Sequence, residues 1–279
     1  MKPETDTLRA TPTPYLDHVM VLVDRDTYGA VLAEEHLGAT FGRRKHKQAD
    51  SSIAGSYSTL GIAGRETLVE LFEEVPGGSP MRGGLVFSFE RTGSAQAARS
   101  VLDGADDVSY YYDLVRRAVD GADEPQPWYH LINVDLGPGS PFVLFLNEVT
   151  PEYFASLGAK PADDGALRRR EYLDAALGET DGGDRVFGDI RGVTIDVTAD
   201  RASRIAAALT QFGFTEARTD GGVELSRADL TLSLRIAETE RVTGLRLELF
   251  GADPGTEFTF GGGSKLVVDS EESARWLFF

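Results

Sequence analysis

Apolar and polar positions alternate along this chain in short runs, separated at intervals by stretches of helical period. The first run, Tyr15-Leu-Asp-His-Val-Met-Val-Leu-Val23, reads as a strand. A period of two places His18 on one face with Leu16, Met20 and Leu22. Asp26 is placed to cap a helix over roughly 27–37, with Gly38 at its end. Three strand-like runs follow, 41–48, 52–62 and 67–72, and the last holds Glu70 among apolar neighbours. After Pro76-Gly-Gly-Ser-Pro80 the order starts again, with a strand at 84–90 and a helix at 94–102. Strands at 109–115, 128–135 and 141–149 complete that second set, with a loop at 116–127.

Residues 151–177 change to helical character, with Thr150 capping and Pro151 in first position, and a second helix over 164–177. A Gly/Asp-rich joint at 178–188 leads into a third set. Its strand at 190–197 precedes an amphipathic helix in which Ile205, Ala208, Leu209 and Phe212 form the apolar stripe. Strands at 223–226, 230–236 and 243–250 and three apolar runs in the tail follow. The pattern predicts an α+β fold of repeated βαβββ units. Residues 1–13 form a loose leader, units 14–75 and 84–150 pair into one cleft-bearing half-barrel, 151–185 is a helical joint, and 186–279 is a third unit with extra C-terminal strands.

Composition narrows the chemistry. A net charge of −17 argues against nucleic-acid binding and against docking on anionic membranes. No run of about 18 apolar residues predicts a membrane helix, and no apolar signal core opens the chain, so a cytoplasmic location is expected. Without cysteine, disulfides and thiolate metal sites are excluded, and any metal takes His, Asp, Glu, backbone or water ligands.

The strand order, with His18 in Leu16-Asp-His-Val19 and Glu70 in Leu68-Val-Glu-Leu71, resembles the vicinal-oxygen-chelate superfamily of glyoxalases, extradiol dioxygenases, epimerases and fosfomycin and bleomycin resistance proteins. Tyr15-Leu-Asp-His with Asp26-Thr-Tyr28, Asn147-Glu-Val-Thr-Pro-Glu-Tyr153, Phe260-Gly-Gly-Gly-Ser-Lys-Leu266 and Ala274-Arg-Trp-Leu-Phe278 look like a bacterial domain family of unknown function. The superfamily resemblance implies a divalent metal (Fe, Zn, Mn, Ni or Co) held by first-strand and fourth-strand residues of two paired units. Here that assigns His18, Glu70 and Glu148 as ligands, with Glu148 also a candidate general base. The second unit departs from the pattern: its first strand has no histidine, and His130 lies on the third strand instead. The third unit has Gly192 where His18 aligns.

Tyr57, Tyr110, Tyr112, Trp128 and Phe145, with His130, are candidates for lining a small-molecule cleft. His36 and His46 read as surface residues. Arg168-Arg-Arg170 either meets an anionic substrate or pairs on the surface, and in a helix of an acidic protein the second is expected. Gly261-Gly-Gly263 reads as a turn, not a phosphate cradle. Three functional readings follow. The first is a metal-dependent isomerase, lyase or dioxygenase acting on a small oxygenated molecule. The others are a metal-free protein that sequesters a small molecule, and a structural module of degenerate repeats. Edge strands leave monomer and homodimer both open.

Overall fold

The computed structural model describes residues 11–51, 55–73, 80–118, 124–178 and 185–279, without side chains over 48–57. The expected leader up to residue 10, most of the linker after Val75 and the centre of the 178–188 joint lie outside the described residues. The first set is β1 (Tyr15–Leu22), α1 (Arg25–Ala33), β2 (Arg43–Ser51), β3 (Gly55–Ala63) and β4 (Leu68–Phe72). The second is β5 (Gly83–Phe89), α2 (Ser94–Asp103), β6 (Tyr110–Arg117), β7 (Gln126–Val134) and β8 (Phe142–Val149). In each the first strand pairs parallel with the fourth, since the helix carries the chain back before the next strand begins. The units join antiparallel at β1 and β5. Their eight strands, in the order β1-β4-β3-β2-β6-β7-β8-β5, curl until β2 meets β6 at the single pair Ser51–Arg117. This is the architecture that the vicinal-oxygen-chelate resemblance implies.

Two helices, α3 (Pro151–Ser156) and α4 (Arg169–Leu177), form the joint. A second mixed sheet follows, made of β9 (Phe187–Val197), α5 (Ala199–Thr210), β10 (Thr215–Thr219), β11 (Gly222–Arg227) and β12 (Leu230–Ile236), then β13 (Arg241–Leu249), β14 (Glu257–Phe260), β15 (Ser264–Ser270) and β16 (Ser273–Phe278). The strands β9 to β12 repeat the βαβββ order, with β9 parallel to β12. From β13 to β16 the helix is absent. The chain turns straight back after β13, so β16 lies antiparallel to it, where β8 lies parallel to β5. Among the described residues, β10, fully exposed, is the one strand that the hydrophobic pattern did not reveal.

Helix boundaries differ from the sequence expectation for local reasons. Asp24, not Asp26, caps α1, taking the Thr27 N–H at 2.8 Å. This helix ends at Ala33, short of the expected residue 37, and a π-helical turn follows at Leu37–Phe41. Gly165, at φ +79°, breaks the expected start of α4 at residue 164, and the helix begins at Arg169. The Thr150 cap and Pro151 stand as expected, with the Tyr153 N–H on Thr150 Oγ1.

One core runs through both sheets. Val19, Val21, Leu85 and Phe87 share it with Ile190, Val193, Ile195, Leu232 and Leu245. Aromatic pairs cross between the halves, including Phe41–Phe187 at 5.4 Å and Phe87–Phe214 at 6.0 Å between ring centres. The triple-glycine turn before β15 packs against the start of α1. A Cβ on Gly263 would stand 2.5 Å from Thr27 Oγ1 and 2.6 Å from Asp24 Oδ2, so the approach requires glycine. Among the described residues no helix is long and apolar enough to cross a membrane.

Candidate functional site

Strands β1, β3, β4, β5, β7 and β8 give one face to the common core and the other to a cavity of about 960 Å³, to which β2 and β6 add Lys45, His46, Lys47 and Arg117. Helices α3 and α4 supply the cover, through Tyr153, Leu157, Arg169, Tyr172 and Leu173. The cover is tied down by Arg43, which bonds Asp174 at 2.6 Å and the Gly178 carbonyl at 3.0 Å. Lys45 reaches the Ala176 carbonyl at 2.7 Å.

Across the cavity wall runs a belt of polar side chains. Strand β1 starts it, because its alternation slips at Asp17. The pairing with β5 shifts between Leu16 and His18, the signature of a bulge, which aims neighbouring side chains to one face. Asp17 and His18 therefore both line the cavity with Met20, while Leu16 joins the outer core. This corrects the expectation that Leu16 shares the face of His18.

His18 Nδ1 lies 2.6 Å from Asp17 Oδ1, and His18 Nε2 lies 3.3 Å from Glu70 Oε2. Thr59 donates to the other Glu70 oxygen at 2.9 Å, and Lys47 pairs in register with Thr59. On the far side Ser88 donates to Asp17, and Asn147 stands opposite Ser88 on β8. Arg169 of the cover descends to Asp17 Oδ1 at 2.7 Å. Burial pushes the Asp17 carboxyl up, but the charges of Arg169 and His18 and the bonds from His18 and Ser88 outweigh it and hold it at about 2. Burial raises the Tyr129 and Tyr172 hydroxyls, so both face the cavity as neutral groups.

The sequence candidates divide between the two faces of the sheet. His18, Glu70, Trp128 and Phe145 line the cavity together. Glu148 points the other way and is 2% exposed. Its two oxygens take the N–H groups of Gly93 and Ala95, at 2.8 and 2.6 Å, at the start of α2. That is a helix-capping role, with the carboxylate at the positive end of the helix dipole, and it replaces the expected roles of ligand and base. On β7 the inward residues are Tyr129, Leu131 and Asn133, which leaves His130 outside. There it bonds Tyr112 through Nδ1 at 2.7 Å, and Arg99 lies over the Tyr112 ring. Tyr110 bonds Asp103 at 2.6 Å on the same outer face. These three are corrections to the expected cleft lining. The Tyr57 side chain lies outside the described residues. His46 stands at the cavity edge, bonded to Ser58, and His36 stacks on Phe258.

Asp17, Ser88, Asn147 and Arg169 were not foreseen as site residues. Asn147 carries a signal: a polar residue inside the apolar run of β8, with its buried Oδ1 lacking a protein partner.

The donor set decides how well a protein-held divalent metal fits. Among the described residues no group of three or more His, Asp or Glu side chains is arranged to hold a metal ion. His18 and Glu70 converge, but Glu148 caps α2, and Asp17 is taken by His18, Ser88 and Arg169. In the second unit the inward residues nearest the superfamily's ligand positions are Ser88 and Asn147, both neutral. The residues present do not fit the expected three-residue site.

A family model described as a family of unknown function (DUF5829) matches residues 16–278. No curated protein matches the sequence. Among solved structures, a hypothetical protein from Staphylococcus aureus shares 12% identity at a TM-score of 0.51, over 88% of this chain and 95% of that one. The 2,2',3-trihydroxybiphenyl 1,2-dioxygenase of Sphingomonas wittichii shares 13% at 0.45, over 94% and 89% of the two chains. The Mn(II)-bound glyoxalase of Novosphingobium aromaticivorans shares 10% at 0.40, over 84% and 64%. At such identities a likeness concerns the fold and not the chemistry.

Proposed function

The chain belongs to the family of unknown function DUF5829, and we propose that it is a small-molecule-binding protein whose ligand occupies the first sheet's cavity without a protein-held metal. The observation that carries this reading is the cavity itself, about 960 Å³, walled by apolar and aromatic side chains and crossed by one belt of polar groups. That combination of size, apolar wall and few convergent polar groups is what small-molecule sites have in common. Met20, Phe72, Val86, Trp128 and Phe145 supply apolar contact, and Thr59, Asn147 and the two cavity tyrosines supply hydrogen bonds. The metal-dependent reading is not carried forward, because its third ligand is spent on a helix end.

A second reading draws on one feature of the belt. Asp17 holds the His18 ring from behind, at Nδ1, with Glu70 in front, at Nε2. A histidine oriented by a carboxylate is the usual arrangement of a group that moves protons. A ligand that separated His18 from Glu70 would meet an oriented imidazole and a carboxylate side by side, which equips the cavity for proton transfer on an oxygenated molecule.

Elemental analysis of protein purified without chelator, together with melting in the presence of the neutral aromatic probe 2-naphthamide, tests the first reading. The expected outcome is metal well below one equivalent, unchanged in His18→Ala, and a melting temperature that rises with probe concentration. One equivalent of metal that disappears in His18→Ala would overturn it.

A further inference from the structure

We infer that the ligand of this cavity is an organic acid, with its anionic head at the Lys47–Arg117 wall and its flat apolar body against Trp128 and Phe145. The inference rests on the reading of the cavity as the ligand site. It adds the ligand's charge and the way the ligand lies.

The whole chain carries −17, yet the cavity lining, histidines apart, carries Lys45, Lys47, Arg117 and Arg169 against only Asp17 and Glu70. The excess is not spread evenly. Arg169 is matched by Asp17 at the far side of the belt. Lys45, Lys47 and Arg117 come from the neighbouring strands β2 and β6 and crowd one wall, where Glu70 is the nearby acid. Burial pulls the Lys47 ammonium below its usual range, Glu70 pulls it back, and Arg117 and Lys45 push it further down. Like charges held close together in a partly buried site repel one another more strongly than in water. An anion placed among the three converts that repulsion into attraction. In an acidic protein such a local reversal of sign also gives a negative ligand a reason to enter.

Lys47 Nζ and the Arg117 guanidinium each lie 5.0 Å from the centre of the Trp128 ring. Arg117 also bonds the Tyr153 hydroxyl at 2.5 Å, which sets its planar fork against the cavity cover. Cationic heads around an aromatic ring fix where a charged group and a flat ring can lie together. Across the cavity Asn147, 9% exposed, adds a neutral amide to the wall.

The test uses quenching of Trp128 fluorescence, for which Trp276, fully buried in the second sheet, gives a constant background. The probes are 2-naphthoate and its neutral analogue 2-naphthamide, titrated into the full chain. The expected result is that the acid binds at least tenfold more tightly than the amide. In Lys47→Met/Arg117→Gln that preference falls to within twofold. Should the double variant fail to fold, Lys45→Met, at the same wall, is expected to reduce the preference by severalfold. Equal binding of acid and amide to the wild-type chain would overturn the charge inference and leave the cavity reading standing. Binding of neither probe would overturn both.

Discussion

In the first sheet the face turned away from the core closes over a cavity crossed by Lys47, Thr59, Glu70, His18, Asp17 and Ser88. In the second, the corresponding face lies open and its polar groups pair with one another. Arg191 meets Glu248 at 2.6 Å, Arg235 meets Asp196 at 2.7 Å, and Arg275 meets Asp269 at 2.7 Å. Both sheets start from a βαβββ unit with parallel first and fourth strands, extended by an antiparallel neighbour. Two differences separate them. The β13–β16 segment lacks the helix that would let it mirror its partner, so the second sheet runs open from β10 to β14. Helices α3 and α4 cover only the first face, through Arg43, Lys45 and Arg169. A concave sheet thus becomes a site when the chain encloses it and its polar groups pair around a covered space. Where such pairs stand in solvent, it remains a surface.

The sharpest way to break the comparison is to remove one arginine from each face. Arg169→Ala leaves the Asp17 carboxylate buried and short of its main cation. Breaking a buried pair from one side costs about 3–5 kcal/mol, and a large fall in melting temperature is expected, partly recovered in Arg169→Ala/Asp17→Asn. Arg235→Ala removes a pair whose arginine is 55% exposed, and exposed pairs contribute about 0.2–1 kcal/mol. Similar losses at the two sites would mean that the first face is as open to water as the second.

Acid sharpens the same contrast. Asp17 is held at about 2 in the folded protein, below its ordinary value of 3.8. The stabilisation it brings is therefore complete above about pH 4 and is lost as pH falls through 2. By linkage this amounts to about 2 kcal/mol. Chemical denaturation at a series of pH values is expected to show that loss in the wild type. In Asp17→Asn the acid limb is shallower by the same amount. An unchanged acid limb in the variant would remove Asp17 from the account.

The site was partly legible before any coordinates. His18 and Glu70 sit in clear alternating runs, and two such runs on one curled sheet bring their polar residues together. Glu148 could not be placed in the same way. Strand β8 is apolar on both sides, since one face meets the core and the other the cavity, so its pattern does not say whether Asn147 or Glu148 looks inward. A shift of one residue exchanges the faces. His130 fails for the same reason on β7. Asp17 depends on a bulge, which leaves no mark in an alternating run. Arg169 depends on a contact between residues 152 positions apart (169 against 17), which local composition, an arginine triplet in a short helix, disguises as surface. The missing helix after β13 was visible only as a lack of helical period, and its effect on strand direction appears only in the pairing.

Glu148 and Gly192 give the smaller tests. Glu148→Gln keeps the shape but weakens two charge-assisted bonds to the α2 N-terminus. A loss of about 1 kcal/mol is expected, with 2-naphthamide binding and metal content unchanged. A variant that kept its stability and lost binding would return Glu148 to the cavity.

The smallest effect is expected at Gly192, the second sheet's counterpart of His18. A Cβ there would lie 3.2 Å from Arg246 Cβ and 3.3 Å from its Nε. Arg246 is exposed, and its bonds to the Arg191 carbonyl at 3.1 Å and to Thr231 Oγ1 at 3.4 Å can be exchanged for water when the side chain gives way to the new methyl. Gly192→Ala is therefore expected to change stability by no more than about 0.5 kcal/mol, the tight contact being set against the conformational entropy that alanine saves over glycine in a strand, and to leave 2-naphthoate binding at the first sheet untouched. The position that carries the histidine in one sheet is, in the other, only the floor beneath an arginine. A loss well above that figure would mean that the second face holds a fixed arrangement of its own, and the contrast between an enclosed site and an open surface would have to be drawn elsewhere.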